Sequence, residues 1–134
     1  MENQLILKIK SEFNDLIQAH SRLNEALEAE KTSLNRDASI QRFEFTFEIV
    51  WKLLKSINEY KGTPCFSPRD CFRIGAQNGL IDDPTSWFEA LTQRNNTVHA
   101  YNEQKAKEVY SHLPQFSQDT KKLITIVRKE IEQL

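Results

Sequence analysis

At 134 residues the chain is long enough to bury roughly two thirds of its unfolded surface in a core of its own, so a single domain over 1–134 is the expectation. It is 39% hydrophobic and 28% charged with only 3 Gly and 4 Pro, which leaves little turn material and favours long helices over a many-stranded sheet. A formal net charge of −1 lacks the footprint of a general nucleic-acid coat, so any polynucleotide contact should be local.

The start Met1-Glu2-Asn3-Gln4 has neither the basic nor the apolar region of a signal peptide, and no apolar run reaches bilayer-spanning length, which points to a cytoplasmic protein without membrane contact. From Leu5 to Leu34 the apolar positions Ile6, Ile9, Phe13, Leu16, Leu23, Leu27 and Leu34 trace the seam of one long amphipathic helix. His20 lies on that seam and reads as a satisfied side chain at a packing surface. The polar segment Asn35-Arg36-Asp37-Ala38-Ser39 should end this helix and supply an N-cap, Asp37 or Ser39, to the next.

The second helix is expected from about Ile40 to Tyr60, with Gly62 as its stop and Pro64 beyond. Ile40, Phe43, Phe47, Val50, Trp51, Leu54 and Ile57 form one apolar face, which Phe45, Ile49 and Leu53 widen. Only the stripe Glu44, Glu48, Lys52, Lys55 and Glu59 looks solvated. Such a helix is either central in its domain or shared with a second copy, so a homodimer is a serious option.

Cys65 and Cys71 have neither a usual zinc spacing nor the number to staple a fold of this size, and read as reduced structural thiols. Ser67-Pro68-Arg69-Asp70 is a strong helix start, and Gly79 after Asn78 ends a short third helix. Asp83-Pro84 opens a fourth helix that carries Trp87, Phe88 and Leu91 toward Tyr101. Asn102 caps a fifth, which runs from Glu103 to Leu134 and must kink or divide at Pro114. The fold class is therefore all-α, a bundle of about five helices.

The fourth helix ends in Arg94-Asn95-Asn96-Thr97-Val98-His99-Ala100-Tyr101, where polar residues interrupt the apolar pattern. With Arg94 at the origin of a helical wheel, Trp87, Val98 and Leu91 fall at about 20°, 40° and 60°, Asn95 and His99 at about 100° and 140°, and Tyr101 at about −20°. Arg94, Asn95, His99 and Tyr101 should then line the rim of a packed surface, partly shielded from water. There a guanidinium holds an anion more strongly and a His titrates near neutrality. Arg offers a fork of donors that matches phosphate, and His moves a proton. Metal-free RNA cleavage needs little more, and two copies brought together would supply the second proton-transfer group.

At these residues the chain resembles the HEPN family, in the branch named after the substrate-binding subunits of minimal nucleotidyltransferases. The resemblance rests on Ile40-Gln41-Arg42-Phe43-Glu44-Phe45-Thr46-Phe47-Glu48, on Ser67-Pro68-Arg69-Asp70 through Gly79-Leu80-Ile81-Asp82-Asp83, and on Arg94-Asn95-x3-His99-x-Tyr101. It implies an up-and-down helical bundle, homodimeric, encoded beside a small nucleotidyltransferase and bound to it. It also implies one of two roles. The first is a toxin-type ribonuclease that needs no metal or other cofactor, in which Arg94 binds phosphate, His99 transfers protons, Asn95 adds a hydrogen bond, and Tyr101 is adenylylated by the partner. The second is a non-catalytic subunit that binds a nucleotide or presents substrate to the transferase.

Overall fold

The computed structural model describes residues 2–134; Met1, the first residue of the start read above as leaderless, lies outside the described residues. The chain is all-α, with α1 Glu2–Glu28, α2 Ser33–Tyr60, α3 Pro68–Gln77, α4 Thr85–Asn96, a 3-10 turn Thr97–His99, α5 Glu103–Ser111 and α6 Leu113–Glu132. α5 and α6 are the two parts of the expected last helix, divided at His112 just before Pro114, because a Pro in the first turn has no N–H to lose.

The α1–α2 junction differs from the sequence expectation. α1 ends at Glu28 instead of Leu34, and α2 starts at Ser33, because the Thr32 hydroxyl accepts the Asn35 N–H at 3.1 Å and is the N-cap. The polar segment 35–39 therefore lies inside the first turns of α2. Neither Asp37 nor Ser39 caps it: the Ser39 hydroxyl donates back to the Asn35 carbonyl at 2.9 Å, and Leu34 is 80% exposed. The predicted ends at Gly62, Ser67 and Asn102 hold. Gly62 follows α2 with φ 87°, where a side chain would be strained. Ser67 accepts the Asp70 N–H at 3.2 Å, and Asn102 accepts that of Lys105 at 3.1 Å.

Cys65 and Cys71 are bonded to each other, with Cα atoms 5.2 Å apart, so the expectation of reduced thiols is corrected. The N-cap turn at Ser67 folds the chain back, bringing Cys65 against the first turn of α3 at a separation a disulfide can span. Sequence spacing alone does not reveal that reversal.

α2 touches every other α-helix, which accounts for its wide apolar face. Phe43 and Phe47 from α2, Phe72 from α3, Trp87 from α4 and Phe116 from α6 form one aromatic core. Phe43 meets Phe116 edge-on at 4.8 Å, Phe47 meets Phe72 at 5.8 Å, and Phe72 stacks on Trp87 at 5.4 Å. Edge-on and offset contacts of this kind add to what burial itself contributes. Phe45, Ile49 and Trp51 are only half-buried, so the centre of the bundle does not use the whole face. Among the described residues, no helix is long and apolar enough to cross a membrane.

His20 packs as expected on the α1 seam. Its Nε2–H donates to the Ser117 carbonyl of α6 at 3.0 Å, and burial, only partly offset by that bond, pushes its pKa below the ordinary 6.5. As pH falls, the unfolded chain takes up this proton before the folded one does, so the stabilising effect is complete above about pH 6.5 and is lost below it. Denaturant unfolding between pH 7.5 and 5 should show His20→Asn losing less stability over that interval than the wild type; parallel curves would exclude His20 as the source.

Candidate functional site

Arg94 stands in the last turn of α4, where that helix crosses α2. Its guanidinium carbon lies 5.1 Å from the centre of the Phe47 ring, an arrangement that favours the flat cation. Nη2 is 3.2 Å from Glu48 Oε1, and the other Glu48 oxygen accepts the Trp51 indole N–H at 3.0 Å. The Arg94 Nε–H is buried without a partner. Glu48 and Trp51, one turn apart on α2, thus fix one edge of the guanidinium while Phe47 supports its face. The side chain remains 31% exposed.

α4 does not continue to Tyr101. It ends at Asn96, where the Thr97 hydroxyl donates to the Arg94 carbonyl at 2.7 Å and the chain tightens into a 3-10 turn. The Ala100 N–H then reaches the Thr97 carbonyl, and the Asn102 N–H the His99 carbonyl, each at 3.0 Å. Two asparagines followed by β-branched Thr97 and Val98 support an α-helix poorly, and a Thr hydroxyl bonded back to the main chain competes with it. Wheel angles past Asn96 therefore do not apply. Val98, expected on the apolar face, is 68% exposed, and Tyr101 is 88% exposed. Asn95 and His99 also lie in water, so the partial shielding expected of all four residues holds for Arg94 alone. No hydrogen bond among the described residues joins the side chains of Arg94, Asn95, His99 and Tyr101. One anchored cation thus sits beside a short, tightly wound turn that presents an imidazole and a phenol to solvent. Among the described residues no group of three or more His, Cys, Asp or Glu is placed to hold a metal ion.

The family described as nucleotidyltransferase substrate binding protein like matches residues 11–129, nearly the whole chain. The chain belongs to that family. The Haemophilus influenzae protein named "Probable ribonuclease HepT" is 30% identical over 97 residues in a match that covers 68% of this chain and 66% of the relative, just under two thirds of its length. A crystal structure from Thermus thermophilus superposes with a TM-score of 0.76 at 32% identity, covering 82% of this chain and 96% of that one. A mutant toxin-antitoxin complex, MntA-HpeT, gives 0.76 at 20% identity over 90% of this chain and 97% of that one. At that identity the likeness is one of fold.

For this substrate-binding-like chain, the sequence singles out the Arg94-to-Tyr101 stretch but not its ion-pair partner Glu48, which it assigned to the solvated stripe of α2. In the fold Glu48 is half-buried against α4. Its place three residues before Trp51, beside Phe47, is the one hint of this in the sequence, and only the α2–α4 crossing turns it into an ion pair.

Because the Glu48–Arg94 pair is partly exposed, breaking it changes stability by no more than about 1 kcal/mol. Glu48→Gln should therefore melt close to the wild type while its uncompensated guanidinium binds inorganic phosphate more tightly by titration calorimetry. Equal phosphate affinity would show that Glu48 does not limit anion access to Arg94.

Proposed function

We propose that this chain is the HEPN half of a two-component nucleotidyltransferase pair and acts as a metal-independent ribonuclease, with Arg94 and His99 in a composite site formed by two copies. The observation that carries this reading is the anchored Arg94 cation followed directly by a turn that leaves His99 free in water. The relative named as a ribonuclease supports it, and the MntA-HpeT toxin-antitoxin complex supports a paired partner.

In this mechanism the Arg94 guanidinium binds the scissile phosphate. His99 takes the proton from the ribose 2′-OH, whose oxygen attacks phosphorus; the phosphorus–5′-oxygen bond breaks, and the second copy's His99 returns a proton to the leaving oxygen. The products are a 2′,3′-cyclic phosphate and a 5′-hydroxyl, and no metal takes part. Asn95 adds a hydrogen bond to the phosphate. Tyr101 is the control point: its hydroxyl attacks the α-phosphorus of a nucleoside triphosphate held by the partner, pyrophosphate leaves, and the bound adenylyl group occludes the site and pairs with the charge that RNA requires.

A second reading, a non-catalytic subunit that binds a nucleotide or presents substrate to the transferase, is favoured by Glu48. A carboxylate already paired with Arg94 lowers the net charge offered to an RNA phosphate. The family description fits it too.

The readings separate on His99→Ala. Under the ribonuclease reading this variant sediments as the same dimer as the wild type but loses RNA cleavage by about 100-fold or more together with growth inhibition. Equal cleavage by both proteins, or a monomer at micromolar concentration, sinks the composite-site mechanism.

The control role of Tyr101 has its own outcome. After co-expression with the adjacent transferase, intact-mass analysis should show an adenylylated chain, and Tyr101→Phe should abolish the adduct. An adduct that persists in Tyr101→Phe places the modification elsewhere.

A further inference from the structure

A second cleft, independent of the reading above, opens on the other side of α4. It encloses about 440 Å³ between α4, the α5–α6 junction and α2, within the range of small-molecule sites. Phe43 and Phe116 are among the residues that line it, and its polar groups include Asp83, Glu89 and Gln93. Neither Lys nor Arg lines it, unlike the surroundings of Arg94.

Gln93 is the decisive residue. It is 2% exposed and donates through Nε2 to Glu89 Oε1 at 3.0 Å. That bond fixes the orientation of the amide, because the reverse would set a carbonyl oxygen against a carboxylate. The Gln93 Oε1 is left buried with no hydrogen-bond partner, a costly state for an acceptor. Glu89 carries a further sign of what the site accepts: the His112 imidazole Nε2 stands 3.6 Å from the same Oε1, a ring nitrogen beside the carboxylate but beyond hydrogen-bonding distance.

We propose that this cleft binds a small organic cation, a planar amidinium- or guanidinium-type group on an apolar or aromatic body. The body lies over the packed Phe43–Phe116 pair, the cation faces Glu89, and one N–H satisfies the Gln93 carbonyl oxygen. Two carboxylates with no Lys or Arg select against anions, so phosphates and carboxylates are excluded by the charges that admit the cation. A flat fork of donors matches a carboxylate and an amide oxygen better than a compact ammonium does.

Benzamidine and benzoate, nearly the same shape with opposite charge, test this directly. Full-length protein titrated with benzamidine should give saturable binding at roughly millimolar concentration or tighter, with protein-observed NMR shifts at Glu89, Gln93 and His112, while benzoate shifts none of them. Glu89→Gln keeps the side-chain shape at a half-exposed position and should weaken benzamidine about tenfold or more. Gln93→Met removes the orphaned acceptor, and should also lose affinity while still folding. His99→Ala, which tests the ribonuclease reading, should bind benzamidine as the wild type does. Equal binding of benzoate, an unchanged benzamidine affinity in Glu89→Gln, or the absence of saturable binding overturns the proposal.

Discussion

The bundle is organised around the packing of Phe47. Its ring is fully buried and meets Phe43, Phe72 and Phe116, so one side chain joins α2 to α3 and α6. Through Phe72 and Phe116 it also reaches Trp87 of α4. The same ring lies beneath the Arg94 guanidinium. Core and candidate site therefore share an atom group: whatever shifts α4 on this aromatic cluster shifts the cation with it. A core of interlocked rings has little freedom to relax, which is what a positioned cation requires.

The end of α4 turns that rigid placement into a solvent-facing one. Had the helix run on as a regular α-helix, its next turns would have carried Val98 onto the packed face and His99 to the rim. The back-bonded Thr97 and the 3-10 turn instead bring His99 and Tyr101 into water within a few residues of an anchored Arg94.

α4 thus separates two electrostatic environments. On one side Arg94 offers a positive group held by Glu48, which Trp51 in turn fixes; on the other Glu89 and Asp83 line an acidic cleft with Gln93, whose amide oxygen is unsatisfied. Gln93 and Arg94 are adjacent in sequence and belong to opposite sites, because neighbouring residues on a helix point about 100° apart.

The all-α class, the apolar faces, the division at Pro114 and most helix ends are legible in the residues alone. They follow from local chemistry: hydrophobic periodicity, caps such as Ser67 and Asn102, the missing N–H of Pro, and the left-handed backbone that Gly62 tolerates. The Arg94-to-Tyr101 stretch is legible too, through polar residues that interrupt an apolar pattern. The α1–α2 turn falls earlier than expected because Thr32, like Asp37 and Ser39, is a residue type that can cap a helix, and in the folded chain Thr32 is the one that does. That Glu48 pairs with Arg94, that Cys65 meets Cys71, and that Gln93 is buried with one bond unmade emerge only once the helices are packed. Each of these depends on where a second segment of chain lies, and a side chain's type and spacing do not encode the distance to a partner on another helix.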